Sequence, residues 1–258
     1  MKYFIEYASY NSKLRNYDTA GKLLLSISML FCGICGNNIF SLIFILCTAI
    51  YFTVFKSGTD LIKYIKMYIS PAIFIILGVI TISLNIYAER TGIISLPFFA
   101  NKFICITENS IKLGVITAIK AFSCISSMYF IILTTDIYKI TGVLQKLKIP
   151  YLIIELMFII YHFIFVLSER RDCIILSQKS RLGYNGFIQS INSFAKAFSS
   201  VFILSFIRVS KIYNSLEARC FDGNFKFSKT DINKKEFIHS VIISIIIVSI
   251  FIFMEVFL

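Results

Sequence analysis

Between Phe237 and Leu258 the only charged side chain in 22 residues is Glu255. A helix in water keeps a polar face, so a run without one belongs in hydrocarbon or inside protein. At about 1.5 Å per residue, this one is long enough to cross a bilayer core about 30 Å thick. The pattern recurs along the chain. Residues 23–55 are apolar apart from Gly36-Asn37-Asn38, types that favour a turn, so a helical hairpin is expected with spans at about 20–35 and 39–55. A third run covers 67–87 and contains Pro71, a fourth covers about 111–134 and contains Lys120, and 237–258 makes a fifth, with Lys234 and Lys235 just before it. Composition agrees, since 57% of the 258 residues are hydrophobic and 16% are charged, against about 25% charged in a soluble domain. Soluble, collagen-like and disordered classes are excluded. The expected fold class is all-α: a polytopic membrane protein with about five transmembrane helices and additional cytoplasmic amphipathic helices.

The segments between spans carry the remaining pattern. Residues 88–110, with Glu89, Gly92, Pro97 and Glu108, read as a loop. Past Thr134, Ile137, Ile140, Val143, Leu144 and Leu147 recur at helical spacing beside Lys139, Lys146 and Lys148, which predicts a short amphipathic helix at the membrane surface. Pro150 opens the apolar stretch 151–167, marginal in length for a span, which runs into Ser168-Glu169-Arg170-Arg171-Asp172 and on to Arg181, where Gly183 and Gly186 end it. A second amphipathic helix is expected over about 187–219, where Phe187, Ile191, Phe194, Phe198, Phe202, Val209, Ile212 and Leu216 keep to one stripe. This divides the chain into residues 1–134 with spans one to four, a cytoplasmic or interfacial module at 135–230, and a C-terminal span at 231–258.

The net charge of +12 admits nucleic acid, anionic lipid or acidic protein as partners, and position decides among them. Lys and Arg number 4 in residues 1–22, 3 in 56–66, 3 in 136–149 and 12 in 170–235, with none at the 36–38 turn. The basic residues gather beside apolar runs, so the bilayer is an expected partner and nucleic acid is not. The positive-inside bias puts the N-terminus and residues 136–235 in the cytoplasm, with 151–167 lying in the interface or against other helices. Met1–Tyr10 carries Glu6 and lacks the continuous apolar core of a cleaved signal.

Catalytic signatures are missing. There is no G-x-x-x-x-G-K-[ST] for nucleotide binding, no H-E-x-x-H and no G-x-S-x-G. Cys32 and Cys35 form a C-x-x-C, but in an apolar segment rather than a βα unit, which argues against redox work. His162 and His239 are far apart in sequence and read as membrane or interface residues rather than metal ligands. No cofactor is expected on this chain, and it is not expected to be an enzyme.

Two stretches of the basic segment end alike. One reads Gln178-Lys179-Ser180-Arg181-Leu182-Gly183-Tyr184-Asn185-Gly186, the other Glu217-Ala218-Arg219-Cys220-Phe221-Asp222-Gly223. Each places an Arg in the last helical turn, then an aromatic, an Asn or Asp, and a Gly. Together with Asp18-Thr19-Ala20-Gly21-Lys22-Leu23-Leu24, the stretch from Ile104-Cys105-Ile106-Thr107 to Leu147-Lys148-Ile149-Pro150, and Glu169-Arg170-Arg171, these endings resemble the transmembrane T component of energy-coupling factor (ECF) transporters, the CbiQ/EcfT family, from about residue 17 onward. That family ends its two coupling helices in Ala-Arg-Gly-like or Ala-Arg-Ser-like motifs. Here Ser180-Arg181-Leu182 and Ala218-Arg219-Cys220 keep the arginines and lose the small residue after them, and Thr19 stands where the family has Pro.

The resemblance implies a non-catalytic coupling subunit at the cell membrane, joined to two ABC-type ATPase subunits and to a membrane S component that binds the substrate. ATP and magnesium would be held by the partner ATPases. Arg181 and Arg219 would each enter a groove on one ATPase, with Ser180, Leu182, Ala218 and Cys220 around them. The cargo implied is a micronutrient, with cobalt or nickel first and a vitamin, through a shared T component, second. An autonomous channel or carrier is the reading of another class. It would need polar residues facing one another within the spans, where Lys120, Glu155 and Glu255 are almost the only charges.

Overall fold

The computed structural model describes residues 11–15, 17–87, 94–98, 102–147, 149–221 and 234–257. Glu89, Gly92, Lys148, Asp222 and Gly223, all part of the sequence patterns, lie outside the described residues. The helices are α1 (Thr19–Cys35), α2 (Ile39–Ile50, continued by a π-helical turn over Tyr51–Lys56), α3 (Leu61–Ser83), α4 (Glu108–Thr134), α5 (Ile137–Lys146), α6 (Tyr151–Ser180), α7 (Phe187–Glu217) and α8 (Lys234–Phe257). Among the described residues, six helical segments are long and apolar enough to cross a membrane: Ile39–Lys56, Leu61–Ser83, Glu108–Thr134, Tyr151–Ser180, Phe187–Glu217 and Lys235–Phe257. With α1, slightly shorter at 17 residues, every expected span is helical. The chain is an all-α, multi-pass membrane protein.

Local chemistry explains the boundaries. Asp18 caps α1, its Oδ2 accepting the Gly21 N–H at 3.0 Å, and the Thr107 hydroxyl accepts the Ser110 N–H at 3.3 Å at the start of α4. The third span begins earlier than the apolar run because α3 takes in Lys63, which pairs with Asp60 at 2.6 Å, and it ends at Ser83. The stretch 151–167 runs on through the charged residues toward Arg181, as the sequence leads one to expect. The polar residues after Leu167 are tolerated in helices and no Gly or Pro intervenes before Gly183, so α6 runs on for 30 residues to Ser180.

The expected loop at 88–110 is a correction. It holds most of a three-stranded antiparallel sheet, ordered β1-β3-β2, with β1 at Asn85–Tyr87, β2 at Ile94–Phe98 and β3 at Lys102–Ile106. Ile104 lies opposite Ile86 on one side and Leu96 on the other. The aromatic and β-branched run Phe103-Ile104-Cys105-Ile106 suits a pleated central strand, and Pro97 falls on the edge strand β2, where a missing N–H is tolerated.

The chain forms two compact units, residues 1–140 with 231–258, and residues 141–230. In the first, α1 packs with α2, α4 and α8 around Met29, Ile45, Ala49, Phe130, Ile247 and Phe251. Lipid is as apolar as leucine, so close packing and hydrogen bonds hold such helices together. Gly21 shows how close: a Cβ there would lie 2.6 Å from Ser240 Oγ on α8. Ser123, Ser126, Ser127 and Thr134 of α4 are fully buried, their hydroxyls donating to carbonyls one turn back at 2.6–2.9 Å. Ser26 of α1 donates to the Ser127 carbonyl at 2.8 Å.

The charges inside these helices are structural. Glu255 accepts the Asn37 N–H at 2.8 Å and the Ser41 hydroxyl at 2.7 Å, while Lys120 donates to Asn37 Oδ1 at 3.1 Å. They close the α1–α2 turn onto α8 and α4. Lys22, 4% exposed, donates to the Leu14 carbonyl and, at 3.2 Å, to the Thr134 carbonyl at the C-terminal end of α4, where the helix dipole favours a cation. Lys139 donates to the Arg15 carbonyl, and Arg15 approaches Asp136 at 3.6 Å.

Two helix ends of one design

In the second unit α6 and α7 form an antiparallel hairpin. Gln178 Nε2 donates to the Ser193 carbonyl at 3.0 Å, Ser193 Oγ donates to the Gly183 carbonyl at 2.6 Å, and the Tyr184 hydroxyl donates to Gln178 Oε1 at 2.8 Å. This clasp leaves no room at Gly183, where a Cβ would lie 2.8 Å from Ser193 Oγ and 3.0 Å from the Gln178 carbonyl oxygen.

Arg181 caps α6 at its C-terminus, with φ −94° and ψ 17°. Beyond it, the Gly183 N–H donates to the Gln178 carbonyl at 2.9 Å and the Leu182 N–H to the Lys179 carbonyl at 3.0 Å. The end of α7 repeats this bonding: the Phe221 N–H donates to the Leu216 carbonyl at 3.1 Å and the Cys220 N–H to the Glu217 carbonyl at 2.9 Å. These paired bonds define the Schellman ending, in which the residue between them is left-handed. Leu182 has φ 54° and Cys220 φ 52°, and among the described residues they are the only non-glycine residues with positive φ. The position after each arginine therefore suits a residue without a Cβ. Leu182 and Cys220 hold the same backbone at a cost of about 1–2 kcal/mol each.

Both arginines are exposed, and neither guanidinium has a hydrogen-bond or ion-pair partner among the described residues. Each sits where the helix dipole is negative, so it is held electrostatically while its fork of donors stays available to a carboxylate. Ser180 Oγ donates to the Leu176 carbonyl at 3.1 Å, and the Ala218 N–H to the Asn214 carbonyl at 3.0 Å, so the residues before each arginine complete the last turns. Cys220 is an exposed free thiol. On α7, Phe187, Ile188, Phe194, Phe198 and Phe206 are all more than 60% exposed.

Among the described residues, the cysteines and histidines that the sequence singles out form no redox or metal site. Cys32 is buried in the first unit's core and Cys35 is exposed, both as free thiols. His162 meets the Phe163 ring edge, at 6.3 Å between centroids, and His239 is exposed. Among the described residues no group of His, Cys, Asp or Glu is arranged to hold a metal ion.

The fold defines a multi-pass helical membrane protein that carries two long helices with matching arginine ends. The family model described as CbiQ, cobalt transport protein, matches residues 10–230. The chain belongs to the CbiQ/EcfT family of membrane transport components. It is 28% identical over 233 residues to the energy-coupling factor transporter transmembrane protein EcfT of Ruminiclostridium cellulolyticum, covering 85% of this chain and 83% of that one. It is 26% identical over 234 residues to an uncharacterized protein of Methanocaldococcus jannaschii, covering 88% and 83%. It is also 24% identical over 159 residues to the cobalt transport protein CbiQ of Salmonella typhimurium, covering 60% and 69%.

Proposed function

We propose that this chain is the T subunit of an ECF-type ABC importer, linking two cytoplasmic ATPases to a membrane S component for ATP-driven uptake of a micronutrient, cobalt or nickel. The observation that carries the reading is the pair of identically capped, exposed arginines at the ends of α6 and α7, without partners among the described residues. Two equal ends suit two equal partners. Arg181 and Arg219 each enter a groove on one ATPase and meet acidic side chains, while Ser180, Leu182, Ala218 and Cys220 line the approach. The exposed phenylalanines of α7 support the hairpin as the element that carries ATPase closure toward the S component. The N-terminus and the hairpin face the cytoplasm in this reading, and the chain itself binds no nucleotide.

The test is co-purification. Removing one partner of a buried ion pair costs about 3–5 kcal/mol, against about 1 kcal/mol or less for an exposed one. Arg181→Glu or Arg219→Glu should release one ATPase or uncouple hydrolysis from uptake, and the double change should abolish assembly while insertion continues. Arg→Lys at either position should be partly tolerated, since it keeps the charge without the bidentate fork. Double variants that assemble and transport like the parent would overturn the assignment. The S component that co-purifies distinguishes a metal importer from a shared vitamin importer.

A further inference from the structure

The hairpin holds a second basic feature, apart from its ends. A cavity of about 280 Å³ between α6 and α7 is lined by Leu167, Arg170, Leu204, Ile207, Arg208 and Lys211. The four residues from α7 recur at steps of three and four, so they form one stripe, and Leu167 and Arg170 are one turn apart on α6. Half of the lining is apolar and half cationic. None of the three cations has a hydrogen-bond or ion-pair partner among the described residues. The nearby carboxylate of Asp172 is engaged by Arg171, at 3.0 Å. Three positive charges without a counterion repel one another, and the arrangement calls for an anion.

The apolar half decides which anion. On α6 the cavity begins at Leu167, where the apolar run from Tyr151 ends, and on α7 it sits where Val201–Ile207 gives way to Arg208. Inorganic phosphate would satisfy the cations and leave Leu167, Leu204 and Ile207 uncovered. An amphiphile covers both halves. We propose that this cavity binds the phosphodiester headgroup of an anionic phospholipid, with Arg170, Arg208 and Lys211 on the phosphate oxygens and the first acyl carbons against Leu167, Leu204 and Ile207. Arg suits this task because its planar fork matches two phosphate oxygens at once.

The experiment is native mass spectrometry of the purified, delipidated full chain titrated with phosphatidylglycerol or phosphatidylcholine. Phosphatidylglycerol should bind selectively with one tight site. The triple variant Arg170→Gln, Arg208→Gln, Lys211→Gln should weaken that site by about a hundredfold, and Arg208→Gln alone by about fivefold. A control that removes the same charge elsewhere, Lys66→Gln, Lys112→Gln, Lys196→Gln, should bind like the parent. Circular dichroism checks that each variant is helical, and if the triple variant is not, Arg208→Gln decides. Equal binding of phosphatidylcholine, unchanged binding by Arg208→Gln, or equal loss in the control would overturn the proposal. Displacement of the lipid by millimolar inorganic phosphate would assign the cavity to free phosphate instead, and displacement by a polyglutamate peptide would assign it to an acidic protein segment.

Discussion

Leu182 and Cys220 lie 38 residues apart and share one backbone conformation, left-handed with φ of 54° and 52°, each directly after an arginine and each between the paired bonds of a Schellman ending. Neither residue type favours that conformation. The hydrogen bonds of the ending, together with the Gln178–Ser193–Gly183 clasp at the first, hold the chain there. Two independent segments carrying the same strained geometry beside the same side chain is the strongest internal sign that the two ends serve one purpose.

Relief of that strain can be measured. Leu182→Gly and Cys220→Gly remove the Cβ penalty of about 1–2 kcal/mol, offset in part by the greater freedom of glycine in the unfolded chain, for a net gain of about 1 kcal/mol each. Thermal unfolding of the purified protein should move upward for both. Leu182→Val, β-branched at a left-handed position, should move it downward, and the opposite order would show that the two ends are not strained.

The approach of α1 to α8 sets a second expectation. Gly21→Ala places a methyl group 2.6 Å from Ser240 Oγ and 2.7 Å from Ser240 Cβ, an overpacking that should cost about 1–3 kcal/mol. Ser240→Gly removes both obstructing atoms, so the double variant should regain most of the loss. A double-mutant cycle on thermal stability reads the coupling directly.

Lys22 is buried, at 4% exposure. Lys22→Met keeps the volume and removes the donor to the Leu14 and Thr134 carbonyls, so stability should drop by about 3 kcal/mol, within the range for hydrogen bonds to a charged group. Lys120→Met, which loses a single bond to Asn37 at a half-buried position, should lose about 1 kcal/mol or less. Equal losses would show that burial is not what makes Lys22 matter.

Orientation is open to chemistry as well. In a background with the seven native cysteines replaced, Lys179→Cys and Lys229→Cys should react with a membrane-impermeant thiol reagent only from the cytoplasmic side. Labelling of intact cells from outside would reverse the assigned topology.

The helices were legible because hydrocarbon demands long uncharged runs, and Gly36-Asn37-Asn38 punctuates them. Strand signals were not, because 88–110 mixes Gly, Pro and charge without sustained alternation, and its sheet is defined by pairing between β3 and distant Ile86 and Leu96. The end of α6 at Arg181 was legible because no Gly or Pro interrupts the chain between Tyr151 and Gly183. At the two helix ends the arginines stand out in the sequence and the left-handed residues do not, since that conformation is ordinarily announced by Gly or Asn. The clasp was hidden for a different reason. Ser193 is ten residues from its partner Gly183, and only the return of α7 along α6 brings them together.

The packing of α1 against α8 also has a consequence in time. Asp18 donates its backbone N–H to Glu236 at 3.0 Å, and the two residues are 218 positions apart. At about 5–20 residues per second, a ribosome takes roughly 10–40 s to pass from one to the other. Throughout that interval Gly21 presents a notch with nothing in it, and the α1–α2 turn lacks the Glu255 carboxylate that later accepts from it. The first helix is therefore inserted long before its binding partner exists, and a nascent chain released early leaves the membrane with an unfilled seam. Cellular quality control that recognises such seams would remove truncated copies before they could reach any partner.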